Sequence, residues 1–144
     1  MTIHPTPAAI GSACWCLALK RAARVIARRY DEALRPLHLS NGQFAVLTAI
    51  SGMQSVGIQA LATTLGMDRT TLTAVLKPLR RRGLVVVEVA DDDLRGRNAH
   101  LTEAGDTMLA AAIPLWQVTQ QSVSHDLGSI TGTDDLRYRL ARLS

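Results

Sequence analysis

From residue 13 to about residue 35, Leu19, Ala22, Ile26, Tyr30 and Ala33 recur every three or four positions, while Lys20, Arg21, Arg24, Arg28 and Arg35 take other faces. The spacing predicts one long amphipathic helix, ended or kinked at Pro36. Ser40 then offers an N-cap to a second helix, which turns Phe44, Leu47 and Ile50 inward and is expected to stop at Ser51 and Gly52. Two shorter helices follow, the first carrying Ile58, Leu61, Ala62 and Leu65, the second Leu72, Val75, Leu76 and Leu79. Gly66 can close the first in a left-handed conformation, and Asp68 is placed to cap the second with a favourable negative charge. The direct reading is a helix-turn-helix.

After Gly83, residues 84–89 are the strongest β-forming run in the chain. The polar stretch 90–96, with Asp91, Asp92, Asp93 and Gly96 as turn formers, leads to a returning strand over about 97–101, so the two make a β-hairpin. Thr102 can cap a long, nearly uncharged helix with Glu103 and Asp106 in its first turn; Pro114 is expected to bend it. Residues 129–134 then separate it from a short last helix holding Leu136, Leu140 and Leu143. The expected fold is a single domain over 1–144, mainly α with a small β-hairpin, in the order of a winged helix-turn-helix from about 36 to 102.

Composition sharpens this picture. Hydrophobic residues make up 47% of the 144 but aromatics only 3%, so the core is expected to be aliphatic and helical. The net charge of +4, doubled in a symmetric dimer, suits a polyanionic partner. Cys14 and Cys16 cannot form the disulfide framework of a small secreted domain, and no basic segment precedes an apolar run at the N-terminus, so a cytoplasmic protein is expected. The charge-free stretches 36–67 and 107–125 are interrupted by Asn, Gln and Ser, which points to burial in protein and away from a membrane. His4, His38, His100 and His125 are dispersed, and neither a metal nor a cofactor is expected.

A helix-turn-helix that reads DNA needs a second helix with an apolar inner face and an outer face reaching phosphates and base edges. In the helix from residue 69 to about 82, Arg69, Thr70, Thr71, Thr73 and Lys77 take outward or N-terminal positions, with Arg80, Arg81 and Arg82 at its end. Arginine can contact guanine bidentately, and threonine can bond a phosphate or touch a thymine methyl. The competing reading is an ordinary surface helix with solvated charges. The order of elements around it, two-helix motif, strand, basic-tipped hairpin and capped helix, argues against that reading.

Two local motifs add to this. Asp93-Leu94-Arg95 precedes Leu101-Thr102-Glu103-Ala104-Gly105, and Arg82-Gly83-Leu84-Val85 joins the second helix to the first strand. In these motifs, and over nearly its whole length, the chain resembles the MarR family of winged helix-turn-helix transcription regulators. The resemblance implies a triangular homodimer whose N-terminal (about 10–35) and C-terminal (103–144) helices interlock. It also implies recognition helices in successive major grooves and wings in the minor grooves of double-stranded DNA. By the same resemblance Arg95 is the minor-groove arginine, Asp93 braces the wing through a nearby arginine, and Arg97 is a second phosphate or groove contact. Two features depart from the pattern: Pro78 removes the helical bond to Ala74, and the triplet 91–93 puts acid near phosphate.

The expected function is a sequence-specific repressor, released by a small lipophilic or phenolic inducer bound between the dimerisation helices and the DNA-binding lobe. Trp15, Tyr30, Phe44 and Trp116 are candidates to line such a cavity, and Arg24 to meet an anion; packing competes for each of them. The alternative is a thiol switch, since Cys16 sits about where the family's organic-hydroperoxide-sensing branch places its reactive cysteine. Tyr30 falls near a tyrosine that accompanies it, whereas Asn41 stands where that branch has a second one. On one continuous helix Cys14 and Cys16 would point about 200° apart, so intersubunit pairing is favoured over an intrachain disulfide. A peroxidase or small transferase using Cys16 is the enzymatic rival. No nucleophile, base and orienting acid stand in a recognisable arrangement, and no enzyme is expected. A winged helix serving only protein contacts is the remaining rival, separable by the salt dependence of DNA binding.

Overall fold

In the computed structural model the described residues are 4, 6–90, 96–128 and 136–143. The chain starts with α1 (Pro7–Ala13), where proline occupies the first turn and the Thr6 hydroxyl accepts from the Ala9 N–H at 3.2 Å. Cys14 is extended, and α2 (Trp15–Leu34) begins after it. The single helix expected from residue 13 is thus two. The periodicity conceals the break because the apolar spacing runs on through it, and Cys14 keeps a helical bond on either side. Cys14 donates to the Ile10 carbonyl at 2.9 Å, and its own carbonyl accepts from Ala18 at 3.0 Å.

Pro36 ends α2 in a 3-10 turn, Arg35–Leu37, closed by His38 at φ 52°. Ser40 and Gln43 form a reciprocal capping box at the start of α3 (Asn41–Met53). The expected stop at Ser51 and Gly52 does not occur, and α3 runs on to Met53. An exposed glycine weakens a helix by about 1 kcal/mol and does not end it when the preceding turns are anchored by Val46, Leu47 and Ile50.

α4 (Ile58–Leu65) and α5 (Arg69–Arg81) are the two short helices, with Gly66 at φ 60° and the Asp68 carboxylate accepting from the Thr71 N–H at 2.7 Å. Their apolar faces meet α3 through Leu61, Ala62, Leu72, Leu76 and Leu79. α5 continues through Pro78, whose missing N–H leaves only the exposed Ala74 carbonyl without its helical partner.

β2 (Val85–Val89) and β3 (Arg97–Leu101) pair antiparallel from Val85↔Leu101 to Val89↔Arg97. A strand not foreseen, β1 (Val56–Gly57), pairs with the other side of β3, giving the order β1, β3, β2. Two residues are too short to show alternation; β1 exists because β3 offers it an edge. Thr102 caps α6 (Glu103–Leu127) by accepting from the Gly105 N–H, and it donates its hydroxyl to the Gly83 carbonyl at 2.6 Å. α6 runs unbroken through Pro114 and packs along α2, with Arg29 bonded to Asp126 and Ser122 at 2.7 Å each. The final helix, α7 (Leu136–Ala141), holds Leu136 and Leu140, while Leu143 lies past its end. The segment expected at 129–134 lies outside the described residues.

Candidate functional site

The basic face of α5 is set by its own periodicity. Leu72, Leu76 and Leu79 are sunk in the core, so Thr70, Thr73, Ala74, Lys77, Arg80 and Arg81 are left exposed, with Arg69 and Thr71 exposed in the first turn. The threonines are not equivalent. Thr71 donates its hydroxyl to Asp68 at 2.8 Å and Thr73 donates to the Arg69 carbonyl at 2.8 Å, so both hydroxyl protons are engaged within the helix. The backbone N–H of Thr71, followed by its hydroxyl, holds the Asp68 carboxyl below the usual carboxylate range, which keeps this cap ionised.

The arginines also divide. Arg69, Lys77, Arg80 and Arg81 make no ion pair with a described residue. Arg82 turns back instead, donating to the carbonyls of His38 at 2.7 Å and Leu37 at 3.0 Å. It ties the end of α5 to the turn between α2 and α3, a role that sequence position alone did not separate from its neighbours. Arg97 is exposed at the start of β3 and donates to the Gly96 carbonyl at 2.9 Å. Asp93 and Arg95 lie outside the described residues.

A cleft of about 750 Å³ opens between α2 and α6 on one side and α3 and α4 on the other. Tyr30 of α2, Phe44 and Thr48 of α3, Leu65 of α4, and Ile113 and Trp116 of α6 stand on its walls. Phe44 and Trp116 stack with ring centroids 6.3 Å apart. Tyr30 donates its hydroxyl to Gln120, and burial pushes its phenol up against the opposing pull of Arg29 and Arg137. Leu65, Thr48 and Ile113 were not foreseen as lining, since nothing in a local pattern says which core-facing residues border empty space. Trp15 is 81% exposed at the head of α2, and Arg24 projects from the outer face of α2 near Lys20, Arg21 and Arg28; neither lines this cleft.

Cys14 is half-buried and Cys16 exposed, and both are free thiols. Because Cys14 lies in extended backbone between two helices, the separation of about 200° expected for one helix does not apply. Among the described residues no group of three or more His, Cys, Asp or Glu is gathered for a metal, and no helix is long and apolar enough to cross a membrane.

Residues 39–96 match the model of the MarR family. The chain is 38% identical to the transcriptional regulator MosR of M. tuberculosis, solved in complex with DNA, covering 90% of this chain and 92% of that one at a TM-score of 0.80. It is 28% identical to the transcriptional repressor CouR bound to a 23-mer DNA duplex, covering 97% and 96% at a TM-score of 0.77. It is also 29% identical over 94 residues to the HTH-type transcriptional regulator MgrA of Staphylococcus aureus, covering 65% of this chain and 64% of that protein. The chain thus spans just under two thirds of the length of the curated relatives it matches. Helix-turn-helix, hairpin, flanking helices and these likenesses agree: the chain belongs to the MarR family of winged helix-turn-helix transcription regulators.

Proposed function

We propose that the protein binds double-stranded DNA as a homodimer and represses transcription until a small lipophilic or phenolic ligand releases it. The observation that carries this reading is the solvent face of α5, where four cations without ion pairs to described residues surround exposed Thr70 and Ala74. Such a face suits a major groove, with arginine and threonine for base edges and phosphates. The DNA-bound MosR and CouR structures support it by likeness. In this reading Arg69, Thr70, Thr71, Thr73 and Lys77 meet the groove, Arg80 and Arg81 the phosphates, and Arg95, Asp93 and Arg97 form and brace the wing.

Homodimerisation draws support from where apolar surface is left uncovered. Trp15, Val25, Val118, Leu136, Leu140 and Leu143 are exposed on or beside the N- and C-terminal helices. The trough of about 520 Å³ between α2, α6 and α7 is mainly apolar as well. For the inducer, the aromatic cleft at Tyr30, Phe44 and Trp116 lies where a ligand would spread the lobe from the dimerisation helices. The test is titration of the protein against its own upstream DNA and a scrambled duplex at two salt concentrations. Preferential, steeply salt-dependent binding is expected, and Arg95→Ala should weaken it by about 1–3 kcal/mol. Equal affinity for both duplexes would reject sequence-specific regulation.

A thiol-switched regulator using Cys16 is the second reading, favoured by the exposure of Cys16 beside a helix break that frees Cys14 from a fixed helical direction. Binding abolished by stoichiometric peroxide and restored by dithiothreitol supports it; binding indifferent to peroxide rejects it. Members of this family are regulators, so turnover of peroxide by Cys16 is set aside.

A further inference from the structure

β2 lies at one edge of the described sheet, whose order is β1, β3, β2. The two ends of its ladder assign the hydrogen-bonding sides. The Leu84 carbonyl accepts from the Thr102 N–H at 3.1 Å, and the Ala90 N–H donates to the Gly96 carbonyl at 3.1 Å. The register between these ends is regular. In an antiparallel pair alternate residues bond to the same neighbour. Val86 and Glu88 therefore bond to β3, while Val85, Val87 and Val89 turn their N–H and C=O groups the other way; Val85 is buried, so the open edge is that of Val87 and Val89. No described residue beyond the sheet bonds to them.

That edge borders a groove of about 420 Å³, whose other wall carries Lys77, Arg80 and Arg81 from the last two turns of α5. We propose that the groove is a docking site for an extended acidic peptide of a partner protein, which adds a strand to the β2 edge and sets its carboxylates against the three cations. Two independent features select this occupant. The edge presents donors and acceptors in alternation, which an extended peptide satisfies in full. A nucleic-acid phosphate can accept from the N–H groups but meets the carbonyls as like charge. The cations then choose acidic side chains among extended peptides. Lys77, Arg80 and Arg81 also belong to the proposed DNA face, so the peptide competes with DNA. Only this consequence rests on the DNA reading; the docking itself does not.

The experiment titrates the full chain, without DNA, into a fluorescent end-blocked peptide of about eight residues alternating glutamate and valine. Two further versions carry N-methyl groups, one on every glutamate and one on every valine. Strand addition predicts that one methylated version loses at least about tenfold in affinity while the other keeps it, because only alternate N–H groups face the edge. Val87→Pro removes an outward N–H without breaking the ladder, and is expected to weaken the unmodified peptide about tenfold while leaving duplex affinity within about twofold. Equal affinity of all three peptides, or no saturable binding, overturns the proposal and leaves the cations as guards of an edge. Loss of duplex affinity in Val87→Pro, with no discrimination among the peptides by the unaltered protein, assigns the edge to a phosphate and overturns it too.

Discussion

Gly105 sits where α6 leaves the sheet, and a Cβ there would lie 2.1 Å from the Leu84 carbonyl oxygen. Leu84 is itself held, since its N–H donates to Leu79 and its carbonyl accepts from Thr102. The backbone cannot yield without losing those bonds. Gly105→Ala is therefore expected to destabilise the fold by about 1–3 kcal/mol, read as a lower urea midpoint at unchanged slope. Asp68 makes a second prediction at this scale. Its carboxyl titrates lower in the folded chain, so the cap contributes stability above the unfolded pKa and loses it as pH falls through the lowered folded value. Stability should therefore fall on acidification below about pH 4, with a smaller slope in Asp68→Asn, whose amide oxygen still accepts from Thr71 but does not titrate. An unchanged slope in denaturation midpoints would remove Asp68 from the acid response.

At the scale of elements, the last turn of α5 and its C-cap carry three consecutive arginines with different duties. Arg82 bonds two carbonyls of the α2–α3 turn, whereas Arg80 and Arg81 point to solvent. Arg82→Ala is expected to cost about 1 kcal/mol of stability, at the low end for a charged hydrogen bond because the site is exposed. The salt dependence of duplex binding should then stay unchanged. Arg81→Ala should do the reverse, lowering the slope of log affinity against log salt by about 0.9 while the urea midpoint stays put. The two measurements together check whether the division is real. Helix caps and turns were legible at this scale: Ser40, Gly66, Asp68 and Thr102 each act through their own backbone neighbours, so local sequence suffices to find them. The break at Cys14, the run of α3 past Gly52 and the pairing of β1 were not, because the apolar spacing runs on unchanged through the first and the other two depend on groups distant in sequence.

Across the whole molecule, uncovered apolar surface gathers on the terminal helices, while among the described residues Met53 and Val89 are the exposed large hydrophobics of the helix-turn-helix lobe. A glutamate at Leu140 would place a charge in the trough between α2, α6 and α7. If the proposed homodimer is right, Leu140→Glu shifts it toward monomer in sedimentation equilibrium and lowers duplex affinity with it, since one subunit holds one helix-turn-helix. A variant that remains dimeric would move the interface elsewhere. By itself the sequence determined the order of the helix-turn-helix, the two hairpin strands and the long helix after them, the caps between them and the cationic face of α5, because periodicity, turn chemistry and charge are local properties of a chain. Tertiary structure alone decided that Arg82 is a tie while Arg81 stays exposed, that Tyr30, Phe44 and Trp116 share a cleft which Trp15 and Arg24 do not border, and that β2 lies at an edge of the described sheet beside three cations. Those facts turn on which distant segments meet, and packing settles that only when the elements close on one another.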